Sequence, residues 1–221
     1  MCRYVCRGWA RQRRATRTRL GDHRDVGVLP IDRPRPARQT HNGAVINVVL
    51  SQEISEALRA FARQERSTLY PVLLAVFGVI LARYAGHNDV VVGSPFANRA
   101  TSALEQVVGL FVSTLPVRVQ VAPAASGRKL VGHLREVLLA VQSHQDLPFE
   151  KLVEALRPQR SLANSPIFQV VFALQNTPLS SMFELASTGA MYDLSLFMRD
   201  TPTGIIGSLE YNTDLFDRET M

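Results

Sequence analysis

The sequence predicts a mixed α/β fold, a sheet with parallel and antiparallel strands packed with helices. Three observations predict it. Apolar residues recur at helical spacing in four segments. Six short β-rich segments alternate with polar residues or run continuously apolar. Strands and helices follow one another without strict alternation, which favours a mixed sheet over a purely parallel one.

The elements follow in order. The three prolines of Leu29-Pro30-Ile31-Asp32-Arg33-Pro34-Arg35-Pro36 read as an extended linker, because each also pushes its predecessor out of helical geometry. Ala44 to Leu50 is a strand, with Val45, Ile46, Val48 and Val49. Ser51 suits a helix N-cap, and Ile54, Leu58 and Phe61 mark an apolar face through to Arg66. A second helix starts at Ser67 or Thr68, takes Pro71 in its first turn and ends at Gly86 as C-cap. Its apolar residues surround most of the circumference, so it should be buried.

Asp89 to Gly93 reads as a central strand, followed by a polar loop from Ser94 to Arg99. Thr114 to Val121 alternates, and Pro116 places it at an edge or a strand start. Leu130, Leu134, Val137, Leu138 and Val141 mark a third helix, and Phe149, Leu152, Val153 and Leu156 a short fourth. Ile167 to Leu174, Ala190 to Met198 and Ile205 to Tyr211 complete the strands. The expected organisation is a basic tail over 1–27, the proline-rich linker over 28–43 and one folded unit over 44–221.

Composition narrows the function classes. The chain has 221 residues, 46% hydrophobic, enough to bury a core without disulfide staples. Its longest uncharged apolar stretch, Leu69 to Ala82, is too short to span a bilayer. Cys2 and Cys6 are the only cysteines, which excludes a zinc ribbon, a cysteine-ligated iron–sulfur site and a disulfide framework. A reducing cytoplasm is the expected setting. The net charge of +6 is lopsided: residues 1–40 carry eleven Arg against three Asp, and the rest is slightly acidic. The basic character therefore belongs to the tail. That tail reads as unstructured, or as an arm for phosphate or nucleic acid.

A complete catalytic set is missing. The five histidines are scattered, and none heads a metal-binding i, i+4 pair. No Gly-x-Ser-x-Gly elbow, P-loop or dinucleotide fingerprint occurs. No metal site is expected. His144, beside Gln145 and Asp146, could be a general base, or part of a helix–turn–helix joint. In the joint, Asp146 serves as N-cap, with Pro148 and Glu150 in the first turn. Asn98 and Arg99 close the polar loop as ligand contacts or as turn chemistry. Ser113 and Thr114 open a strand, where they could line a tunnel or satisfy backbone groups. Phe168, Phe172, Tyr192, Phe197 and Met198 are most simply core.

Three segments together resemble the condensation domain of nonribosomal peptide synthetases. His144-Gln145-Asp146-Leu147-Pro148-Phe149-Glu150, continued by Lys151 to Leu156, matches a core motif of that family without a gap. Val108 to Arg118 is similar to the family's Gly-x-Phe-Val-Asn-Thr segment, with Ser113 in place of Asn. Arg160 to Gln169 is similar to Arg-Asp-x-Ser-Arg-x-Pro-Leu-Phe. Arg160, Pro166 and Phe168 agree there, while Ser161, Ala163 and Asn164 depart.

The resemblance implies a chloramphenicol-acetyltransferase-like lobe, one of two that form a V. It implies amide formation between a carrier-bound acyl thioester and an aminoacyl acceptor. Both would arrive on the phosphopantetheine arms of carrier domains, through a tunnel between the lobes. Ser94, Asn98, Arg99, Ser113 and Thr114 are the tunnel candidates it implies. His144, Gln145, Asp146, Pro148, Phe149, Glu150, Arg160 and Pro166 belong to its structural motifs. The family's other lobe carries His-His-x-x-x-Asp-Gly, and no such string occurs here. The expectation is therefore a C-terminal half, truncated and inactive alone, with no catalytic residue of its own. The partners would be carrier domains and the missing lobe. A non-catalytic module that binds a carrier or partner is the alternative.

Overall fold

The computed structural model describes residues 29–97, 107, 109, 111–122, 125–158, 161–175 and 189–221. In chain order the elements are β1 (Gly43–Val49), α1 (Gln52–Gln64), α2 (Leu69–Ala85), β2 (Asp89–Phe96) and β3 (Ser113–Gln120). They continue with α3 (Gly127–Gln142), α4 (Phe149–Leu156), β4 (Val170–Leu174), β5 (Leu194–Thr201) and β6 (Gly204–Asn212). The strands form one sheet in the order β1-β6-β5-β4-β2-β3. β4 runs parallel to both β2 and β5, and the other pairs are antiparallel. The mixed sheet expected from the sequence is present.

Alternation divides the sheet into two faces. Val90, Val92, Val117, Val119, Val170, Phe172 and Leu194 pack with Ala62 of α1, Leu74, Phe77 and Leu81 of α2, and Leu130 and Leu134 of α3. Fully burying one such side chain stabilises the fold by about 2 kcal/mol. The smaller cluster of Val91, Phe168 and Val171, with Phe149, Ile167 and Tyr192 packed on it, lies on the opposite face. α4 supplies Phe149 to that cluster and none of its own residues is fully buried.

The caps explain the helix bounds. The Ser51 hydroxyl accepts the Ile54 N–H at 3.3 Å. α1 stops at Gln64, before the expected Arg66, because Arg66 turns into the left-handed region at φ 50. Within α1 the face is rotated from the expected stripe: Ile54 is exposed, while Ser55 is fully buried. Ser55 Oγ accepts the Ile205 N–H at 2.9 Å, so the small residue is the one facing β6. α2 ends at Gly86, φ 71, as its glycine predicts. Most of α2 is buried, but Val76, Ile80 and Tyr84 form an exposed stripe at i, i+4 and i+8. Among the described residues no single helix is long and apolar enough to cross a membrane.

Two further expectations are corrected. The sequence pattern puts Ser94 to Phe96 in a loop, yet they continue β2. They pair with Leu115, Thr114 and Ser113, so β3 supplies the ladder partners that a local reading of polar residues overlooks. The pattern makes Asp146 the N-cap of α4, but the cap position is Pro148. The Pro148 carbonyl accepts the Lys151 and Leu152 N–H groups at 3.0 and 3.3 Å. Proline suits the place, since a cap needs no N–H of its own.

The proline-rich segment forms no helix or strand, bends at residues 32–33 and 37–38, and is anchored. Leu29 and Ile31 pack on the main core. The Asp32 N–H donates to the Leu215 carbonyl at 2.9 Å, and the Gln39 N–H to the Leu162 carbonyl at 2.6 Å. Arg33 bonds Asp217, and Arg35 bonds both oxygens of Asp193. The expected basic tail, 1–27, lies outside the described residues.

Candidate functional site

The site lies on the second face of the sheet, where β3, the α3–α4 joint and the loops before β4 and β5 converge. α3 gives way at Ser143 to a turn in which the His144 N–H donates to the Val141 carbonyl at 3.0 Å and the Leu147 N–H to the His144 carbonyl at 3.1 Å. That turn brings Gln145 and Asp146 over the first residues of β3. Proline at 148 then starts α4, which sets Phe149 and Glu150 beside them.

The result is a cavity of about 350 Å³. Ser113, Thr114, Gln145, Asp146, Pro148, Phe149 and Glu150 line it, together with Val112, Ser165, Phe168 and Tyr192. Three rings make its apolar wall. Phe149 meets Phe168 edge-on at 5.7 Å, and Phe168 meets Tyr192 at 5.6 Å. Phe168 is 2% exposed and lies against the sheet over Gly93. A Cβ at residue 93 would sit 2.3 Å from the Phe168 ring, so only glycine allows that approach.

Polar groups complete the walls. Tyr192 lies beside Thr114 on this wall. Burial pushes the Tyr192 phenol above its usual range, and Thr114 opposes that in part. The lining carboxylates are Asp146 and Glu150, and no Lys, Arg or His lines the cavity among the described residues. A second, larger groove of about 860 Å³ runs along the other flank of α4, between Val153, Arg157, Leu162 and Pro166.

The structure thus gathers Ser113, Thr114, Gln145, Asp146, Pro148, Phe149 and Glu150 around one cavity. Two stretches more than thirty residues apart in sequence meet there. His144 is exposed and does not line it. Pro166 faces the second groove. Ser94 is fully buried on the helix-covered face, beside Val92 in the alternation, with its hydroxyl bonded to the Tyr70 hydroxyl. Asn98, Arg99 and Arg160 lie outside the described residues. Among the described residues no group of three or more His, Cys, Asp or Glu could hold a metal ion.

Sequence reasoning does not single out Tyr192, Phe168 or Ser165 as site residues. It assigns Phe168 and Tyr192 to the core, and Phe168 is core; but Tyr192 is only partly buried and walls the cavity. The available signal is its place before Asp193, a charged residue where the strand pattern demands burial.

Solved structures with this fold define the class. The fold superposes on a four-domain nonribosomal peptide synthetase, holo-AB3403, bound to AMP and glycine. The TM-score is 0.81 at 26% identity, covering 89% of this chain and 17% of that one. The X-domain from teicoplanin biosynthesis gives 0.79 at 23% identity, covering 96% and 51%. The fold is the chloramphenicol-acetyltransferase-like fold of condensation domains.

The chain belongs to the condensation domain family, whose model matches residues 17–221. It is 41% identical over 207 residues to a dimodular nonribosomal peptide synthase of Bacillus subtilis, covering 87% of this chain and 9% of that protein. It is 40% identical over 235 residues to phosphinothricin tripeptide synthetase PhsB of Streptomyces viridochromogenes, covering 96% and 20%. The chain therefore spans a small fraction of these synthetases, and about half of the X-domain.

Proposed function

We propose that this chain forms one lobe of an amide-forming condensation unit, in which an acceptor amine attacks a carrier-bound acyl thioester. The observation that carries this reading is the cavity joining Ser113–Thr114 to Gln145–Glu150, within a chain of this family. Aminolysis of a thioester needs the amine free of its proton and aligned with the carbonyl, and alignment supplies much of the rate. The hydroxyls of Ser113 and Thr114 and the Gln145 amide suit alignment of an amide-bearing chain. The resemblance gives the deprotonating role to a His-His motif, and the 221 residues contain no His-His pair. In this reading the His-His-x-x-x-Asp-Gly lobe acts from outside these residues, and this lobe alone forms no amide.

Carrier domains would be the partners, and phosphopantetheine would enter as the arm of the substrate. Its amides match the hydroxyl and amide groups of the cavity, which fits the arm without assigning it a pose. A cytoplasmic setting is part of the same reading, in keeping with the synthetases it resembles.

The test combines the purified chain with a separately produced lobe carrying the motif, and with loaded donor and acceptor carriers. Mass spectrometry should find the amide product only when both lobes are present. Product from this chain and the carriers alone, or none from the complete mixture once the two lobes are shown to associate, overturns the proposal.

A further inference from the structure

We propose that β1 is the docking edge for a second copy of this chain, and that the two copies pair antiparallel through their β1 strands around a twofold axis at Asn47. The inference goes beyond the functional reading above and does not depend on it.

The two edges of the sheet are unlike. β3 closes one end and β1 the other. At the β3 end the Val121 N–H donates to the Asn88 carbonyl at 2.8 Å, which sets the phase of the ladder. Leu115, Val117 and Val119 therefore bond inward to β2, and Pro116 takes an outward position. With no N–H to offer, Pro116 guards that edge against another chain. β1 has no such guard: its seven residues include neither a proline nor a charge. The Leu50 N–H donates to the Ile205 carbonyl at 2.9 Å, and the Thr213 N–H to the Asn42 carbonyl at 3.0 Å. Ala44, Ile46 and Val48 thus bond inward to β6. The N–H and C=O groups of Val45, Asn47 and Val49 point outward, and among the described residues no further strand pairs with them.

The side chains decide the occupant. Val45, Asn47 and Val49 share one face and are exposed, Val49 to 73%. Ile206, opposite Val49 on β6, extends the patch. Ala44, Ile46 and Val48 pack towards the helical core. In a twofold pair centred on Asn47, Val45 meets the partner's Val49, Ile46 meets the partner's Val48, and Asn47 meets the partner's Asn47. Every apolar side chain finds an apolar one, and the single amide finds its own kind. The same register sets outward groups opposite outward groups, which is the hydrogen-bonded phase of an antiparallel ladder. Slipping by two residues keeps that phase but puts valine against Asn47. The net charge of +6 resides elsewhere, so no like charges face one another across the strands. An edge of seven residues is about 24 Å long, and the contact falls below the roughly 1,200 Å² of a standing dimer, so the pairing is reversible.

The test is sedimentation velocity of the full chain over a concentration series, with amide hydrogen exchange read by NMR. The expected result is monomer at about 1 µM and a dimer growing in above roughly 50 µM. In the dimer the Val45, Asn47 and Val49 amides should exchange about threefold more slowly, while those of Ile46 and Val48, already bonded to β6, should not change. Asn47→Lys and Asn47→Asp each bring like charges together at the twofold axis, so each alone should stay monomeric. Mixed in equal amounts, the two variants should form a heterodimer. Circular dichroism checks that both variants fold, and the exchange measurement on the unaltered chain stands whether or not they do. A chain still monomeric at about 500 µM overturns the proposal. So does a dimer that both Asn47 variants leave intact, or one that protects no outward amide of β1.

Discussion

Arg35 grips both carboxylate oxygens of Asp193 across 158 residues of chain, tying the proline-rich segment to the residue beside Tyr192. The Asp193 side chain is 8% exposed and that of Arg35 is 20% exposed. A pair so covered is costly to break, because the remaining charge is left without a partner.

Arg35→Leu should therefore lower the unfolding free energy by about 2 kcal/mol, and Asp193→Asn by a similar amount. The double variant should lose less than the two losses added together, since the pair is broken only once. Urea denaturation of the four proteins checks this. Strictly additive losses would show that the two side chains act separately.

Gly93→Ala should destabilise by about 2 kcal/mol, because the new methyl meets the Phe168 ring and overpacks a site with no slack. Placing the same change in a Phe168→Leu background should recover much of the loss. Thermal unfolding reads both. Equal losses in the two backgrounds would mean that the ring is not what the methyl meets.

Tyr70 gives a pH dependence with a definite sign. Burial pushes its phenol up to about 12 from 10.0, and the bond to Ser94 only partly offsets the shift. The raised folded-state value favours the protonated phenol. Its contribution is fully present below pH 10 and is lost as pH rises towards 12. Tyr70→Phe should flatten that alkaline limb. At neutral pH it should cost about 1 kcal/mol, because the buried Ser94 hydroxyl loses its partner. Denaturation midpoints from pH 8 to 12 decide it, and an alkaline limb unchanged in the variant would contradict the assignment.

Ser55→Ala removes the acceptor for the Ile205 N–H at the start of β6. The loss expected is about 1–2 kcal/mol, since a buried N–H is left unsatisfied. Hydrogen exchange should show the Ile205 amide losing protection more than the amides of β4 do. A uniform loss across the sheet would mean that the bond only contributes to global stability.

Most elements were legible in the sequence because the forces that make them are local. Ser51, Pro71 and Gly86 mark helix ends through backbone chemistry that acts within a few residues. The alternation of Leu115, Val117 and Val119 reports a strand with one buried face, and Pro116 sits, as its missing N–H requires, on the edge strand β3. The composite motif from His144 to Glu150 was visible as a motif, and so was the Ser113–Thr114 segment. That they meet was not visible. Neither was the continuation of β2 through Ser94 to Phe96, which depends on a ladder partner about twenty residues away. Ser94 stands out as a polar residue after a strand, yet its alternation turns it into the helical core. Tyr192 reads as core because an aromatic ring gives no sign of which side will be covered. Periodicity and caps are properties of a short stretch of chain, and the 221 residues fix them directly. Which side of the sheet carries a cavity, and which rings wall it, depends on the pairing of strands distant in sequence, and only the assembled sheet decides that.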